Sequence, residues 1–516
     1  MLELHTPSAA AAWLRTRVAG GLQTDSRKVR AGDGFVAWPG AAVDARLHVR
    51  TAIGNGATAC LVERSDVEQF GFSDPDVATY QGLKAACGTI ASAFLDDPST
   101  KLEVIAVTGT NGKTSTAWWL AHSLSTLKLV PPVPCGFIGT LGIGYLKNQY
   151  GKEVPTIELV ANGLTTPDPV LLQRSFREFA DAGVTVCAVE ASSIGIEEGR
   201  LTGTRIRIAV FTNFSLDHLD YHGSMPAYWQ AKASLFDWPG LRTAVINIDD
   251  EKGAELAAVL RSEKSSLLDI WTLSSTGTAR LQAQDITFGK LGLNFVIVEG
   301  EVRLPVRTLL MGQYNISNIL GVIGAMRALG VPLEACVATC EILKPVPGRM
   351  ECQGGEGQPL VAVDYAHTPD ALLQALVALR QIAHQRGGQL WCVFGCGGDR
   401  DASKRPVMGA IAAKNADHVV VTSDNPRSES PQSIIDQVLM GLAGSTTVHV
   451  QADRALAIWL ALAQAKAEDV VLVAGKGHED YQEIAGVKRP FSDQAQVGLA
   501  LNAWSGSDHF AQRESA

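Results

Sequence analysis

Runs of apolar residues that end in glycine or polar residues recur along most of the chain, and they predict an α/β protein. The clearest unit is "LEVIAVTGTNGKTSTAWWLAHSL", in which a buried strand leads through a glycine-bearing turn into an apolar helix. The segments "VTVCAVEAS", "IRIAVFTNF" and "TAVINIDD" also read as buried strands that end in polar residues. Strands that alternate with helices in this way indicate a parallel sheet.

Two changes in this pattern divide the chain into three expected domains. Residues 1–99 hold short apolar strands and glycine-rich turns, and they end in the helix-like "LKAACGTIASAFL". The second change falls near "LKPVPGRMECQ", and the strands "PLVAVDYAH", "QLWCVFGCGG", "HVVVTSDNP" and "DVVLVAGKG" follow it. We therefore expect a small N-terminal α/β domain (1–99), a central parallel-sheet domain (100–345) and a C-terminal Rossmann-like domain (346–516). A length of 516 residues agrees with about three domains.

The amino-acid composition argues against some classes of protein but does not identify a function. The chain has 44 basic and 53 acidic residues and a net charge of −9, which argues against a nucleic-acid-binding surface. The N-terminal segment lacks a basic stretch followed by an apolar one, and no uninterrupted apolar run of about 18 residues occurs. We expect a cytoplasmic monomer with no membrane partner.

Nine dispersed cysteines, several of them within apolar runs, favour reduced core residues in a cytosolic protein. Cys392 and Cys396 lie four residues apart near a glycine-rich turn, but no histidine cluster accompanies them. A zinc site is therefore not expected.

The segment "TGTNGKTST", Thr108 to Thr116, predicts a phosphate-binding loop. Backbone N–H groups of a glycine-rich turn at a helix N-terminus bind phosphate, Lys113 can reach the terminal phosphates, and the Thr114 hydroxyl can bind Mg²⁺. Gly109 and Gly112 are only three residues apart, so the loop is shorter than the general P-loop pattern. The central domain is thus expected to be a P-loop mononucleotide-binding domain.

Three further residues follow the phosphate loop along the chain and are candidates for catalysis: Glu190, His218 and Lys232. Each has an ordinary structural interpretation as well. Glu190 at a strand end suits a cap or an ion pair, His218 suits a structural role in a loop, and Lys232 suits a solvated helix face. Ligands collect at the carboxyl ends of parallel strands, so these residues are candidates for one shared site.

Taken together, these motifs resemble the Mur ligase family along almost the whole chain. The short "GTNGKT" loop is followed by the "NxxxDHxDxH" block (213–222), "YNISN" (314–318), Gly348–Arg349 and "DYAHTPD" (364–370), in the family's order and spacing. The resemblance implies an ATP-dependent ligase that phosphorylates a substrate carboxylate to an acyl phosphate. An amine then displaces the phosphate and forms an amide.

The resemblance also assigns roles to individual residues. Thr114 and Glu190 would bind one Mg²⁺, His218 would help to hold a second, and Lys232 matches the lysine that the family carbamylates. A carbamate offers anionic oxygens that suit this cation, whereas a protonated lysine repels it. Lys113 would hold the ATP phosphates. The implied ATP-binding residues are Gly109, Thr110, Asn111, Gly112, Lys113, Thr114, Asn315, Asn318, Arg349 and Asp364.

Other segments resemble the branch of the family that extends a UDP-N-acetylmuramoyl peptide. The segment "TDSRKVRAGDGFVA" resembles a uridine-site sequence, and "GLTTPDP" resembles a muramoyl-peptide segment. The implied contacts to the nucleotide-sugar peptide are Ser26, Arg27, Thr165, Thr166, Ser192 and Arg200. The segment "EASSIGIEEGR" departs from the usual "SSH" because Ile194 replaces the histidine, and "VDARLHVRTAI" departs from the usual "DGHxFIxxAI".

The segment "SDNPRSE" resembles the amino-acid selector of the members that add meso-2,6-diaminopimelate. The second carboxylate of diaminopimelate would pair with the Arg427 guanidinium, whereas lysine would bring an ammonium that Arg427 repels. The implied contacts are Arg400, Asp424, Asn425, Pro426, Arg427, Gly475 and Glu479. For "DNPR" alone, a type I turn is the plain alternative.

Three other functions were weighed against this hypothesis. A folylpolyglutamate synthase would lack the N-terminal domain and the "DNPR" segment. A P-loop switch or motor would need neither the lysine at position 232 nor a selector, and a non-catalytic homologue would not need Lys113, Glu190, His218 and Lys232 together. The expected substrates are ATP, UDP-N-acetylmuramoyl-L-alanyl-D-glutamate and meso-diaminopimelate, with Mg²⁺ as cofactor.

Overall fold

The fold was obtained as a computed structural model that describes residues 1–40, 43–127, 133–146, 157–264, 267–289, 292–444 and 447–504. The described residues contain three large sheets that follow one another along the chain, each with helices and its own buried apolar clusters, and one two-stranded sheet near the end of the third domain. The three-domain α/β fold expected from the sequence is confirmed. The end of the third expected domain, residues 505–516, lies outside the described residues.

The N-terminal sheet has five parallel strands in the order β1-β5-β4-β3-β2. They are β1 (Leu2–Leu4), β2 (Leu22–Gln23), β3 (Gly34–Ala37), β4 (Ala59–Glu63) and β5 (Val77–Tyr80). The helices are α1 (Pro7–Arg15), α2 (Val49–Gly54) and α3 (Leu83–Phe94). Separate apolar clusters cover the two faces of the sheet, which explains why β3 and β4 are buried along their whole length.

The central sheet has eleven strands in the order β16-β15-β14-β13-β12-β11-β6-β10-β7-β8-β9. The first eight strands of this sheet along the chain are β6 (Glu103–Thr108), β7 (Cys135–Gly139), β8 (Gly142–Leu146), β9 (Ile157–Val160), β10 (Val186–Glu190), β11 (Ile206–Phe211), β12 (Thr243–Asn247) and β13 (Asp269–Ser274). The remaining strands are β14 (Leu281–Gly289), β15 (Gly292–Glu299) and β16 (Val302–Thr308). Its interior is parallel, as expected, whereas β8, β9, β15 and β16 extend both edges with antiparallel pairs.

Helices cover both faces of the central sheet. They are α4 (Lys113–Thr126), α5 (Pro169–Asp181), α6 (Ser193–Glu197), α7 (Leu219–His222), α8 (Met225–Ala233), α9 (Glu251–Lys264), α10 (Tyr314–Ala328) and α11 (Leu333–Cys340). Helices α4 and α10 pack in one apolar cluster and α5 in the other. Because strands β6, β10 and β11 are adjacent and parallel, their carboxyl ends lie side by side at one edge.

The C-terminal sheet has six strands in the order β17-β18-β22-β19-β20-β21, and only the β17–β18 pair is antiparallel. The strands are β17 (Glu351–Gly354), β18 (Leu360–Asp364), β19 (Leu390–Phe394), β20 (His418–Val421), β21 (Val448–Val450) and β22 (Val470–Ala474), followed by the hairpin β23 (Tyr481–Ile484) and β24 (Val487–Pro490). The helices are α12 (Pro369–Arg386), α13 (Lys404–Asn415), α14 (Pro431–Leu439), α15 (Arg454–Gln464) and α16 (Asp493–Ala503). This is the doubly wound arrangement predicted for the third domain.

Among the described residues, no helix is both long enough and apolar enough to cross a bilayer.

Candidate functional site

The turn between β6 and α4 carries the predicted phosphate loop. Gly109 has φ +147° and Gly112 has φ +83°, values that L side chains rarely adopt. A Cβ atom at Gly109 would also lie 1.8 Å from Thr212 Oγ1, and one at Gly112 would lie 2.3 Å from Asn318 Oδ1. The loop therefore requires glycine at both positions, and it delivers the chain to the N-terminus of a 14-residue helix, where anions are favoured.

The other loop residues hold this turn in place. Lys113 Nζ donates to the carbonyl oxygens of Gly109 at 2.9 Å and Thr110 at 2.8 Å, and the Asn111 N–H donates to Asn213 Oδ1 at 2.8 Å. Desolvation lowers the pKa of Lys113, although the carboxylates around it oppose this effect. The Lys113 ammonium is thus positioned inside the loop that is expected to bind phosphate.

Glu190 lies at the end of β10 and faces the start of α4. Its side chain is 0% exposed, and Glu190 Oε2 accepts from Thr114 Oγ1 at 2.9 Å. Thr140, which the sequence analysis missed, donates to the same carboxylate through its N–H at 2.8 Å and its hydroxyl at 3.2 Å. Burial raises the pKa of Glu190, so a nearby cation would be needed to stabilise the ionised carboxylate. The hydroxyl and carboxylate oxygens together form the kind of ligand set that hard divalent cations prefer.

Lys232 lies on α8 and points into the same region. It is 1% exposed, so its interpretation as a solvated helix residue is wrong. Lys232 Nζ donates to the Gly109 carbonyl at 2.7 Å and lies 4.4 Å from the centre of the Tyr228 ring. Burial and the neighbouring Lys113 lower the pKa of Lys232 well below its usual value. The side chain is thus biased towards the neutral amine.

Asp217 and His218 form the next part of the site, in the loop after β11. His218 has a left-handed backbone, with φ 54°, and burial lowers its pKa to about 4. Asp217 Oδ2 lies 3.5 Å from His218 Nε2 and 3.9 Å from His367 Nε2, and Asp217 Oδ1 lies 4.0 Å from Lys404 Nζ. Burial opposes ionisation of Asp217, but these cationic groups lower its pKa to about 2. His367 and Lys404 belong to the C-terminal domain. Asp217 and His367 lie in the quoted motifs "NxxxDHxDxH" and "DYAHTPD" but had been given no role, and no motif indicated Lys404.

A cavity of about 500 Å³ opens between the central and C-terminal domains beside the phosphate loop. Of the predicted nucleotide contacts, it is lined by Asn111, Gly112, Asn315, Asn318, Arg349 and Asp364. The two asparagines of α10 are ordered by hydrogen bonds, from Asn318 Nδ2 to Asn315 Oδ1 at 3.0 Å and from Asn315 Nδ2 to the Met311 carbonyl at 2.6 Å. The cavity also includes Asp249 and Asp250 after β12, which the motifs did not indicate.

Arg349 reaches the phosphate loop from the C-terminal domain. Its Nη2 donates to Thr114 Oγ1 at 3.2 Å, its guanidinium lies 4.5 Å from the centre of the Tyr365 ring, and its buried Nε has no hydrogen-bond partner. Asp364 Oδ2 accepts from the Met350 N–H at 2.7 Å, and burial raises the pKa of its carboxyl group. The guanidinium therefore has donor capacity left for an anion in the cavity.

The residues predicted to contact the nucleotide-sugar peptide fall into two groups. Thr166 Oγ1 donates to the Glu190 carbonyl at 2.7 Å and accepts from the Ser192 N–H at 3.0 Å, and Arg200 Nη1 donates to the Thr166 carbonyl at 3.0 Å. Thr165 Oγ1 accepts from the hydroxyl of Thr140 at 3.0 Å. These four predicted residues are thus connected to the Glu190 strand end.

The second group lies in the N-terminal domain. Ser26 is buried, whereas Arg27 is exposed and pairs with Asp25 Oδ2 at 2.8 Å. The half-buried Ile194 occupies α6 where the family usually has a histidine. The hydroxyl oxygen of its neighbour Ser193 lies 3.0 Å from Nε2 of His222.

The predicted amino-acid selector lies at the carboxyl ends of β19, β20 and β22. The loop after β19 and the loop after β20 are joined, because the Gly398 N–H donates to the Asn425 carbonyl at 2.9 Å and Arg427 Nη1 donates to the Gly398 carbonyl at 2.6 Å. Asn425 Nδ2 also donates to Glu479 Oε2 at 2.8 Å. Arg400 is exposed on the first of these loops.

The remaining selector residues complete the cluster. Pro426 precedes Arg427, whose φ is 50°, and Arg427 pairs with strand β23 in an isolated bridge to Ile484. A Cβ atom at Gly475, where φ is +119°, would lie 2.4 Å from Asp424 Oδ2. All seven predicted selector residues are therefore brought to one edge of the C-terminal sheet. The described residues contain no group of three or more His, Cys, Asp or Glu side chains arranged to hold a metal.

Comparison with known proteins agrees with this arrangement. Residues 107–326 match the model of the Mur ligase middle domain, and residues 348–477 match that of the Mur ligase glutamate ligase domain. The UDP-N-acetylmuramoyl-L-alanyl-D-glutamate–2,6-diaminopimelate ligase of Acidovorax sp. (strain JS42) is 58% identical over 96% of this chain and 97% of its own length. The enzyme of the same name from Janthinobacterium sp. (strain Marseille) is 46% identical over 93% of this chain and 94% of its own.

A solved structure of a UDP-N-acetylmuramoyl-L-alanyl-D-glutamate–2,6-diaminopimelate ligase is also similar. It superimposes with a TM-score of 0.63 at 36% identity and covers 94% of each chain. Sequence identity, domain models and fold thus agree over nearly the whole length, and the chain belongs to the Mur ligase family.

Proposed function

We propose that this protein is an ATP-dependent ligase that joins meso-2,6-diaminopimelate to the γ-carboxylate of the D-glutamate in UDP-N-acetylmuramoyl-L-alanyl-D-glutamate, a step of peptidoglycan precursor synthesis. The main support is the presence of two sets of functional residues in one chain. A phosphate loop with Lys113, Glu190 and Lys232 lies on the central domain, and a selector with Arg427 and Glu479 lies on the C-terminal domain.

In the proposed reaction, ATP binds in the cavity between the central and C-terminal domains. Lys113 and Arg349 would neutralise the phosphates, and the backbone N–H groups of the loop would orient them. The substrate carboxylate would attack the terminal phosphorus in line and form an acyl phosphate, with ADP as the leaving group. The amine of diaminopimelate would then attack the carbonyl carbon and release phosphate.

Mg²⁺ is part of this proposal. Thr114, Glu190, His218 and a carbamylated Lys232 would hold the ions, which supply charge neutralisation for phosphoryl transfer. Two observations support the fit: the buried carboxylate of Glu190 lies 2.9 Å from the Thr114 hydroxyl, and Lys232 is buried with a lowered pKa. A neutral amine is the form that reacts with CO₂, so this environment favours carbamylation.

The selector is assigned to diaminopimelate because of its charges. Arg427 and Arg400 would pair with the distal carboxylate, and Glu479 would pair with the adjacent ammonium. Thr165, Thr166, Ser192 and Arg200 would contact the muramoyl peptide beside Glu190, and Ser26 and Arg27 the uridine end. We also propose that the domains span 1–99, 100–345 and 346–516, and that the protein acts as a cytoplasmic monomer.

The test is a product analysis with the purified protein, ATP, Mg²⁺, the nucleotide-sugar dipeptide and either meso-diaminopimelate or lysine. The expected product has the mass of the dipeptide substrate plus diaminopimelate minus water, formed with one phosphate and one ADP. Phosphate release that does not require the dipeptide would instead indicate a P-loop switch or motor. Product with a folate in place of the nucleotide sugar would indicate a folylpolyglutamate synthase.

A further inference from the structure

A buried lysine lies inside the selector and has no role in the proposed function. Lys476 follows β22 and is 0% exposed. Its Nζ donates to Glu479 Oε2 at 2.8 Å and to Asn425 Oδ1 at 3.1 Å. The ring centre of Tyr481 is 5.5 Å from the same atom. Glu479, which is assigned to the ammonium of the substrate, and the selector residue Asn425 are therefore already bound to an ammonium of the protein.

The charged groups around Glu479 show why its contact with Lys476 affects the charge of the ligand that the selector can bind. Lys476 neutralises Glu479 at close range, and Arg427 Nε lies 3.7 Å from the carboxylate of Glu483. Asp424 is 3.9 Å from the buried guanidinium of Arg454. Arg454 is also bound at 2.8 Å by Asp493, so two carboxylates share it. Glu479, the carboxylate assigned to the ammonium of the substrate, is thus already neutralised by Lys476, and a ligand that brings one more positive charge finds it occupied.

We propose that Lys476 is a specificity-determining residue that makes the selector reject an amino acid whose distal end is a lone cation. This inference rests on the proposed function. The distal end of diaminopimelate carries an ammonium and a carboxylate on one carbon, so its carboxylate offsets the repulsion between the two ammonium groups. Lysine brings an ammonium alone, which Lys476 and Arg427 both repel.

This role differs from that of Arg427. Arg427 attracts the distal carboxylate, so its loss weakens diaminopimelate binding. Lys476 acts by occupying Glu479, so its loss leaves a carboxylate free to bind a lone ammonium. Removal of either residue should therefore raise the use of lysine relative to diaminopimelate, but removal of Arg427 should do so mainly through a loss with diaminopimelate, and removal of Lys476 through a gain with lysine.

The experiment compares kcat/KM for meso-diaminopimelate and for lysine in Lys476→Met and in the parent protein. The ratio of the two values is expected to fall at least about tenfold, with an absolute rise for lysine, because a like-charge contact is removed. Lys476→Arg should keep the parent's ratio. Lys488→Met is the matched control, because Lys488 Nζ also lies against the Tyr481 ring, at 4.1 Å, but on exposed strand β24.

Both amino acids are measured on one preparation, so the ratio does not depend on the fraction of folded protein. An unchanged ratio in Lys476→Met would overturn the inference, as would equal losses for both amino acids. If Lys476→Met does not fold, norleucine is compared with lysine in the parent protein, because it has the same carbon chain with a hydrogen in place of the distal ammonium. Norleucine should be used better than lysine, and the reverse order would overturn the inference. Failure of the parent to use diaminopimelate would instead overturn the proposed function.

Discussion

At the scale of single residues, the site is built from ionisable groups that the fold has removed from water. Glu190 is completely buried and Lys232 almost so, yet they do not pair with each other: the carboxyl group binds hydroxyl and N–H groups, and the amino group binds a carbonyl. Burying ionisable groups without a charge partner is costly, so such groups are typical of functional sites rather than of stabilising networks. Their ordinary structural interpretations are correspondingly weakened.

Lys232→Ala is the first test of this reasoning. If carbamylated Lys232 provides anionic ligands, its removal should lower kcat by about 10²–10³-fold, as loss of one preorganised electrostatic group does. High bicarbonate or a short carboxylic acid should restore part of the activity by supplying the missing carboxylate. Phosphate release is the measurement, and Lys252→Ala, a change on the surface of the same domain, is the control. Full activity of Lys232→Ala would contradict the assignment.

Arg427→Ala tests the selector. Loss of one partner from a bidentate pair of arginine and carboxylate in a closed cleft costs about 2–5 kcal/mol. The apparent KM for meso-diaminopimelate should rise by roughly 30-fold to several-thousand-fold at about 1.4 kcal/mol per decade. The KM values for ATP and the nucleotide-sugar peptide should change little. Arg489→Ala, on exposed strand β24, is the control, and unchanged kinetics with diaminopimelate would refute the role of Arg427.

At the scale of secondary structure, the sequence predicted the elements that bear chemistry better than those that complete the sheets. Strands β6, β10, β11 and β12 and four strands of the third domain were recognised because each is apolar throughout and ends in polar residues. The antiparallel strands β14, β15 and β16 were missed, because their alternating burial gives a weaker signal. Lys404 could not be assigned, because its partner Asp217 is distant in sequence and belongs to another domain. Lys476 could not be assigned, because its contact with Asn425 depends on the packing of two loops that are distant in sequence.

One buried ion pair holds two of the strand ends that carry the selector. Arg454 at the start of α15 donates from Nε and Nη2 to the Asp493 carboxylate of α16, at 2.8 Å each, and both side chains are 0% exposed. Arg454 Nη2 also donates to the Ala474 carbonyl at the end of β22, and Nη1 lies 3.9 Å from Asp424 after β20. Asp424 and Gly475 are thus positioned by a residue outside the selector.

Arg454→Met should therefore destabilise the C-terminal domain by about 3–5 kcal/mol, because it leaves Asp493 buried without a charge partner. Differential scanning calorimetry of the variant should show a lower unfolding temperature. The double variant Arg454→Met/Asp493→Leu should recover much of that loss, since it removes both buried charges. Equal unfolding temperatures for Arg454→Met and the parent would rule out this role for the pair.

At the scale of the whole molecule, the site depends on how the central and C-terminal domains meet. The polar contacts across the cleft include Arg349 with Thr114, Asp370 with Asn111 Nδ2 at 2.9 Å, and Asp217 with His367 and Lys404. Interfaces between domains of one chain commonly allow relative domain motion. Binding of substrates between the domains is then expected to stabilise one arrangement.

Limited proteolysis with a protease of broad specificity tests this expectation. Cleavage should occur near residues 99–100 and 345–346, where the proposed domains join, and ATP with the nucleotide-sugar peptide should protect the second junction. Fragment masses determine the positions. Cleavage confined to the interiors of the sheets would contradict the proposed boundaries, and equal cleavage at the second junction with and without substrates would contradict closure.

Several buried histidines should make the stability of the whole molecule depend on pH. Burial lowers the pKa values of His122, His218, His367 and His478 to about 4 in the folded protein, against 6.5 for a free side chain. Between these values the unfolded chain binds protons that the folded protein does not, so the free energy of unfolding should decrease as the pH falls from 6.5 to 4. His122 and His478 each contribute at most about 1.4 kcal/mol per pH unit. His218 and His367 contribute less, because their side chains are more than a third exposed and solvent screens the shift.

His122→Gln isolates this effect away from the cleft, because His122 lies on α4 against Trp118, with ring centres 5.0 Å apart. Its pKa is lowered first by burial and then by Lys344, so loss of the titrating group should make the dependence of stability on pH shallower. Unfolding temperatures between pH 7.5 and 4.5 provide the measurement, and His5→Gln, a change at an exposed histidine, should leave the dependence unchanged. A parent protein equally stable at pH 7 and 4.5 would contradict the expectation, because proton uptake by the unfolded chain would then be matched by equal uptake in the folded protein.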